Sequence, residues 1–213
     1  MVKCDTRVSA QLTGLVNMFE EIDFILASNS PRRRSLRSQM GIVYRTAEAE
    51  CDEVCPTGLV RENIPLYLSK LKSESCKINL NKNSLLITAD TVVCLGDKTL
   101  GKPMDAKEAY NMLKMISGKT HDVITGITLR DITHQKSFYS TTEVTISELS
   151  EKEIDYYIKN YKPFDKAGAY GIQEWIGMVG VSRINGCFYN VMGLPTPLLY
   201  EEIKQWEFLI DQK

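Results

Sequence analysis

Histidine is scarce in this chain, with His121 and His134 the only two among 213 residues. A metal centre built on imidazole ligands is therefore not expected. Of the six cysteines (Cys4, Cys51, Cys55, Cys76, Cys94 and Cys187), only Cys51 and Cys55 lie close together, and no second Cys or His pair completes a zinc set. They read as reduced, mostly buried thiols of a cytosolic protein. Charge of one sign is also lacking. Acidic and basic residues are interspersed and the formal net charge is −1, which removes the electrostatic footprint of a general nucleic-acid binder. No apolar run approaches the length of a bilayer span. Met1 to Glu20 has a scattered polar pattern without the apolar core of a signal peptide. The expected compartment is the cytoplasm, with neither nucleic acid nor membrane as a partner. The Gly-x-Ser-x-Gly elbow of serine hydrolases and the glycine spacing of a Walker loop are both missing.

What is present is enough apolar sequence for a sizeable core, at 43% hydrophobic and 25% charged residues. With no internal repeat or low-complexity linker, residues 21–213 read as one domain preceded by an extension over 1–20. Phe24 to Ala27 predicts a short buried strand. Ser30 suits an N-cap and Pro31 the first helical position, with Gly41 as the stop. A second helix is expected over 64–76, with Ile64, Leu68 and Leu71 on one face. Leu85 to Thr88 is a buried strand, and Thr91 to Leu95 continues extended. Asp105 with Glu108, and Ser150 with Glu153, are capping pairs for two further helices. A hairpin is expected around 131–135, a strand near Met178–Ile184, and a last helix opening at Thr196–Pro197. The fold class is α/β, with a mixed, elongated sheet and flanking helices.

Three segments carry chemistry. In Ser28-Asn29-Ser30-Pro31-Arg32-Arg33-Arg34, a strand runs into a helix N-terminus, where unpaired N–H groups and the helix dipole suit phosphate. Arginines in the first turn add bidentate donors, although successive helical residues point about 100° apart and cannot all face one ligand. Asp90 follows an apolar strand directly, a common place for metal binding or base catalysis in α/β proteins; it could equally be a turn aspartate. Glu48, Glu50, Asp52 and Glu53 form an acidic cluster that reads as a solvated loop or, with Asp90, as oxygen ligands for a hard divalent cation. Gly168-Ala169-Tyr170-Gly171-Ile172-Gln173 is either a backbone-approach loop for a flat ring or a flexible turn.

Taken in order, these segments resemble the Maf family of nucleotide pyrophosphatases over about 22–203. The carrying motifs are Ala-Ser-Asn-Ser-Pro-Arg-Arg (27–33), Ala-Asp-Thr-Val-Val (89–93), Gly-Lys-Pro (101–103), Ser-Gly-Lys-Thr-His-Asp-Val (117–123), Asp-Lys-Ala-Gly-Ala-Tyr-Gly-Ile-Gln (165–173) and Asn-Val-Met-Gly-Leu-Pro (190–195). The resemblance implies an α/β fold like that of inosine triphosphate pyrophosphatases, with two lobes around a cleft. It also implies a hydrolase acting on a phosphoric anhydride bond, cutting a nucleoside triphosphate to monophosphate and pyrophosphate with Mg²⁺ or Mn²⁺. Residue by residue, the proton acceptor falls on Asp90 and the specificity positions on Arg32, Thr91 and Gln173. Phosphate binding falls on Ser30, Arg33, Lys72 and Lys102, and metal binding on Glu53 with Asp90; Asp165 and Lys166 are further candidates. Lys70 competes with Lys72 for its place, because the family's Leu-Ala-x-x-Lys-Ala run here reads Leu68-Ser69-Lys70-Leu71-Lys72-Ser73.

The Arg32–Arg33 pair and the Ala-Tyr-Gly-Ile-Gln ending resemble the branch of the family that cleaves dTTP and UTP, rather than the branch that acts on 7-methyl-GTP. A homodimer is compatible with the resemblance. The alternatives are a 7-methyl-GTP-type pyrophosphatase and a nucleotide-binding regulator of cell division with little turnover. An RNA-binding module is the weakest reading, given the near-zero net charge.

Overall fold

The computed structural model describes residues 19, 21–49 and 51–210. The expected extension over 1–20, Phe19 apart, and Glu50 of the acidic cluster lie outside the described residues. A seven-stranded mixed sheet runs through the chain in the order β2-β1-β3-β5-β6-β7, with β4 paired to β3. The strands are β1 (Asp23–Ala27), β2 (Tyr44–Ala47), β3 (Ser84–Leu95), β4 (Lys98–Leu100), β5 (Thr120–Arg130), β6 (Gln135–Ile146) and β7 (Val181–Asn185). The helices are α1 (Pro31–Gln39), α2 (Asn63–Ser75), α3 (Ala106–Ile116), α4 (Glu151–Tyr161), α5 (Trp175–Gly180), α6 (Phe188–Val191) and α7 (Thr196–Ile210). Strand β1 is parallel to β2 and β3, and the remaining pairs are antiparallel. None of the described helices is long and apolar enough to cross a membrane.

Local signals explain the helix ends. Pro31 takes the first position of α1, and Gly41 lies just beyond its end at φ +70°. The Asp105 side chain accepts from Glu108 N at 2.8 Å to open α3. Ser150 and Glu153 form a full capping box at α4.

The core falls into two large apolar clusters along one face of β3 and β5. Leu85, Ile87, Ile127 and Leu129 pack with Leu199, Ile203 and Trp206 of α7. Val93 and Val123, at the other end of the same strands, pack with Leu113 and Ile116 of α3 and with Ile154 and Tyr157 of α4. Between the clusters the apolar row is interrupted by Thr91 and Thr125, which face each other in the register and share a hydrogen bond of 2.9 Å.

Helix α2 covers the opposite face at very short range. A Cβ at Gly126 would lie 2.4 Å from the Pro65 carbonyl, so only glycine permits the helix to rest there. Its buried residues are Pro65, Leu68, Ser69 and Ser73, so of the apolar Ile64, Leu68 and Leu71 only Leu68 is fully covered. A helix lying this close to a sheet needs small side chains underneath, and Ser69 O accepts from Thr88 Oγ1 at 2.7 Å. The expected strand at Met178–Ile184 is corrected. Trp175 to Gly180 forms α5, and β7 begins only at Val181. A Cβ at Gly177 would lie 1.8 Å from Ile172 O, so the compact turn depends on that glycine.

Candidate active site

The site forms where the sheet is interrupted. Strand β1 accompanies β3 only as far as the Ala27–Thr88 pair, and β4 joins the same edge only from Val93. Ala89 to Val92 therefore have no strand partner on that edge among the described residues. The chain leaving β1 turns there into α1. A cavity of about 260 Å³ opens at the gap. Side chains alternate along a strand, so Asp90 lies on the face covered by α2 and Thr91 on the face of the apolar clusters. Both line the cavity.

On the first face, Lys72 reaches from α2 to place Nζ 2.5 Å from Asp90 Oδ1 and 3.0 Å from Glu53 Oε1. Lys72 and Asp90 are largely buried, and Glu53 is half exposed. Burial alone would raise the Glu53 carboxyl, but Lys72, Lys102 and Arg33 together hold it below the ordinary carboxylate value. Lys70 points elsewhere and pairs with Glu74 at 3.8 Å. The competition between the two lysines for a place in the cavity thus falls to Lys72.

On the second face, Arg33 is buried and holds three chain segments together. It donates from Nε to Gly193 O at 2.7 Å, from Nη1 to Ala89 O at 2.9 Å and from Nη2 to Thr91 Oγ1 at 2.8 Å. The Ala89 carbonyl belongs to the unpartnered stretch of β3, so the guanidinium substitutes there for a missing strand. A guanidinium carries five N–H groups, which leaves two for a ligand. Burial pulls its pKa down, opposed by the nearby Asp90. Thr91 Oγ1 is held between Arg33 and Thr125.

The remaining wall comes from the glycine-rich segment. Arg32 donates from Nη1 to Asp165 Oδ2 at 2.8 Å, and Lys166 Nζ pairs with Asp165 Oδ1 at 2.7 Å. Gly168 takes φ +68°, and a Cβ there would lie 3.0 Å from Val93, so this loop is packed against β3. Gln173 is exposed and lines the cavity beside Tyr170 and Gly171.

Most of the residues singled out for phosphate, metal or base contact from the sequence line this one cavity: Ser30, Arg32, Arg33, Glu53, Lys72 and Asp90, then Thr91, Lys102, Asp165, Lys166 and Gln173. Glu48 and Asp52 do not line it. His121 is buried away from it, bonded through Nε2 to the Tyr170 hydroxyl at 2.8 Å. Among the described residues no cluster of three or more His, Cys, Asp or Glu side chains is placed to hold a metal ion. Sequence reasoning missed Tyr157 and Glu174, which meet behind the loop. The only signal for Glu174 was its position next to Gln173.

The cavity thus combines an acidic pair, several cations and a carboxamide. Residues 23–206 match the family described as Maf-like protein. The chain is 48% identical over 192 residues to a dTTP/UTP pyrophosphatase of Phocaeicola vulgatus, covering 90% of this chain and 100% of that protein. It is 44% identical over 195 residues to a dTTP/UTP pyrophosphatase of Porphyromonas gingivalis, covering 90% and 98%. It is also 48% identical over 190 residues to one of Cytophaga hutchinsonii, covering 89% and 87%. With the profile match spanning most of its length and relatives this similar, the chain belongs to the Maf family.

Proposed function

We propose that this chain hydrolyses dTTP and UTP to the nucleoside monophosphate and pyrophosphate, acting in the cytoplasm through residues 21–213 as one catalytic domain. The observation that carries this reading is the meeting of Asp90 with Lys72, Lys102, Arg33 and the start of α1 in one cavity whose far wall bears Gln173. The activity named for the relatives supports the substrate class. We read the cavity as the cleft between two lobes, each built on one of the two apolar clusters.

The triphosphate brings close to four negative charges, and the cationic end of the cavity answers them. The first turn of α1 offers backbone N–H groups beside the Ser30 hydroxyl, Arg33 two remaining guanidinium N–H groups, and Lys72 and Lys102 their ammonium groups. Asp90 orients the attacking water and takes its proton, a role worth ~10²–10⁴ in rate. With Lys72 drawn toward the phosphates, Asp90 Oδ1 is freed for that water. No covalent intermediate is required.

Glu53 and Asp90 direct two carboxylates at the position now filled by the Lys72 ammonium. This donor set fits Mg²⁺ or Mn²⁺, hard cations that take one or two carboxylates together with waters and substrate phosphates. Such an ion, when bound, supplies Lewis-acid polarisation and neutralisation of the leaving pyrophosphate.

Gln173 reads the base. A carboxamide donates from its NH₂ to O4 of uracil or thymine and accepts from N3–H through its oxygen. Cytosine offers an amino group and a bare N3 at the same positions, and each mismatched buried group costs ~1–3 kcal/mol. Arg32, held by Asp165, forms the adjoining edge of the reading site. Thr91 contributes through the Arg33 it anchors. The test is pyrophosphate release by purified protein from dTTP, UTP, CTP, GTP and 7-methyl-GTP. Turnover confined to dTTP and UTP is expected, and a preference for 7-methyl-GTP or no turnover with any of them would overturn the proposal.

A further inference from the structure

Tyr157 is fully buried on α4, yet its hydroxyl serves two polar partners. It donates to Glu174 Oε2 and accepts from Gly171 N–H at 3.0 Å. The other Glu174 oxygen pairs with Lys166 Nζ at 3.1 Å. Lys166, whose side chain is only 8% exposed, also pairs with Asp165, which in turn holds Arg32. A single line of alternating charge therefore runs Arg32–Asp165–Lys166–Glu174 and ends on a phenol anchored to the Gly171 amide.

Both ends of the line matter to the site. Arg32 stands in the first turn of α1, and Gly171 begins the turn that bears Gln173. A Cβ at Gly171 would lie 2.9 Å from Gln173 Nε2 and 2.9 Å from Glu174 Cδ, so both side chains fold back over the same glycine. Glu174 N closes the turn on Gly171 O at 3.0 Å. The carboxylate thus fixes the turn from its backbone amide, through Tyr157, and from its side-chain partner Lys166. A buried ammonium depends on its paired carboxylates, so the line holds only with both acidic members in place.

We propose that Glu174 is a positioning residue for base selection, holding the Gln173 carboxamide in place and tying it to Arg32 through Lys166 and Asp165. This rests on the base-reading role given to Gln173 above. Glu174 acts through its neighbours and leaves the Asp90–Lys72 end of the cavity untouched. Its loss therefore raises KM for UTP and erodes the preference for UTP over CTP, while kcat stays close to that of the unaltered enzyme. A purely structural role would lower thermal stability and leave the base preference intact.

The experiment measures kcat and KM for UTP and CTP, together with thermal unfolding, in the full chain and in Glu174→Gln, Tyr157→Phe, Gln173→Ala and the Glu174→Gln/Gln173→Ala double variant. The expected result is that Gln173→Ala removes a preference of roughly tenfold or more, and that Glu174→Gln and Tyr157→Phe each remove most of it. The double variant should lose no more than Gln173→Ala alone, because the two residues act in series. If Glu174→Gln does not fold, Tyr157→Phe carries the same decision. A preserved UTP/CTP ratio in the folded Glu174 or Tyr157 variant, with the ratio collapsed in Gln173→Ala, would overturn the positioning role alone. A ratio unchanged in Gln173→Ala would sink the base-reading role and this proposal with it.

Discussion

Lys72 Nζ stands 2.5 Å from Asp90 Oδ1 across the gap between α2 and β3, and the same ammonium touches Glu53. The proposed base is thus held by a cation that the phosphates of a substrate would attract. In the proposed mechanism this pair separates during turnover, and the two partners should respond differently to substitution.

Asp90→Asn keeps the shape of the side chain and its place on β3 while removing its capacity to take a proton. Turnover is expected to fall ~10²–10⁴-fold with the fold and nucleotide binding retained. Near-normal kcat in the Asn variant, with Mg²⁺ present, would show that another group accepts the proton.

Lys72→Met removes the internal cation from between Asp90 and Glu53. The variant should bind Mn²⁺ more tightly than the unaltered protein in the absence of nucleotide, as measured by calorimetry, because the two carboxylates no longer share an ammonium. Its kcat/KM should nevertheless fall roughly 10²-fold through the lost phosphate contact. Unchanged Mn²⁺ affinity would mean that the carboxylate pair is not the cation site.

Arg33→Lys retains the charge but not the fork. A single ammonium cannot serve Gly193 O, Ala89 O and Thr91 Oγ1 together. Destabilisation of about 3 kcal/mol is expected from the buried acceptors left unpaired, read by urea unfolding. A variant as stable as the parent would refute the fastening role of the guanidinium.

Burial lowers the His121 pKa from 6.5 to about 4. The unfolded imidazole takes up a proton as pH falls through 6.5, while the folded one stays neutral until about 4. The unfolded state therefore binds more protons in that window, and stability falls as the pH drops through it, by about 3 kcal/mol in all. Urea unfolding at about pH 7.5 and pH 5 should show this slope, and His121→Gln should flatten it. An equal slope in the variant would assign it to other groups.

Much of the fold was legible in the sequence because its signals are local. The capping pairs at Asp105 and Ser150 and the Pro31 and Gly41 boundaries of α1 each depend on residues within a few positions. Arg32, Arg33, Asp90, Thr91, Lys102 and Gln173, each carried by one of the six motifs, also meet in one cavity, whereas Glu48 and Asp52 of the acidic cluster do not reach it. What escaped depends on distant partners. The buried face of α2 is set by Gly126, far away on β5, where the close approach puts Pro65, Ser69 and Ser73 beneath the helix beside Leu68. Residues 178–180 look extended by composition, but they continue helix α5, whose Gly177 lies against Ile172 O. Asp90 is expected just after the end of a buried strand, whereas β3 runs through it as one twelve-residue strand. The polar residues mark a lost neighbour on one edge rather than an end.

That lost neighbour has a consequence for how this region can change over time. Adjacent residues of a strand normally serve opposite sides of a sheet and never meet one ligand, but at the interrupted edge Asp90 and Thr91 both reach the same cavity. On the roles proposed for them, chemistry and selectivity are written in consecutive codons, with their assignment fixed by the parity of the strand. A one-residue insertion or deletion between Ala89 and Val92 would exchange the two roles at once. Such length changes should be absent from functional variants of this stretch, even where substitutions at its individual positions are tolerated.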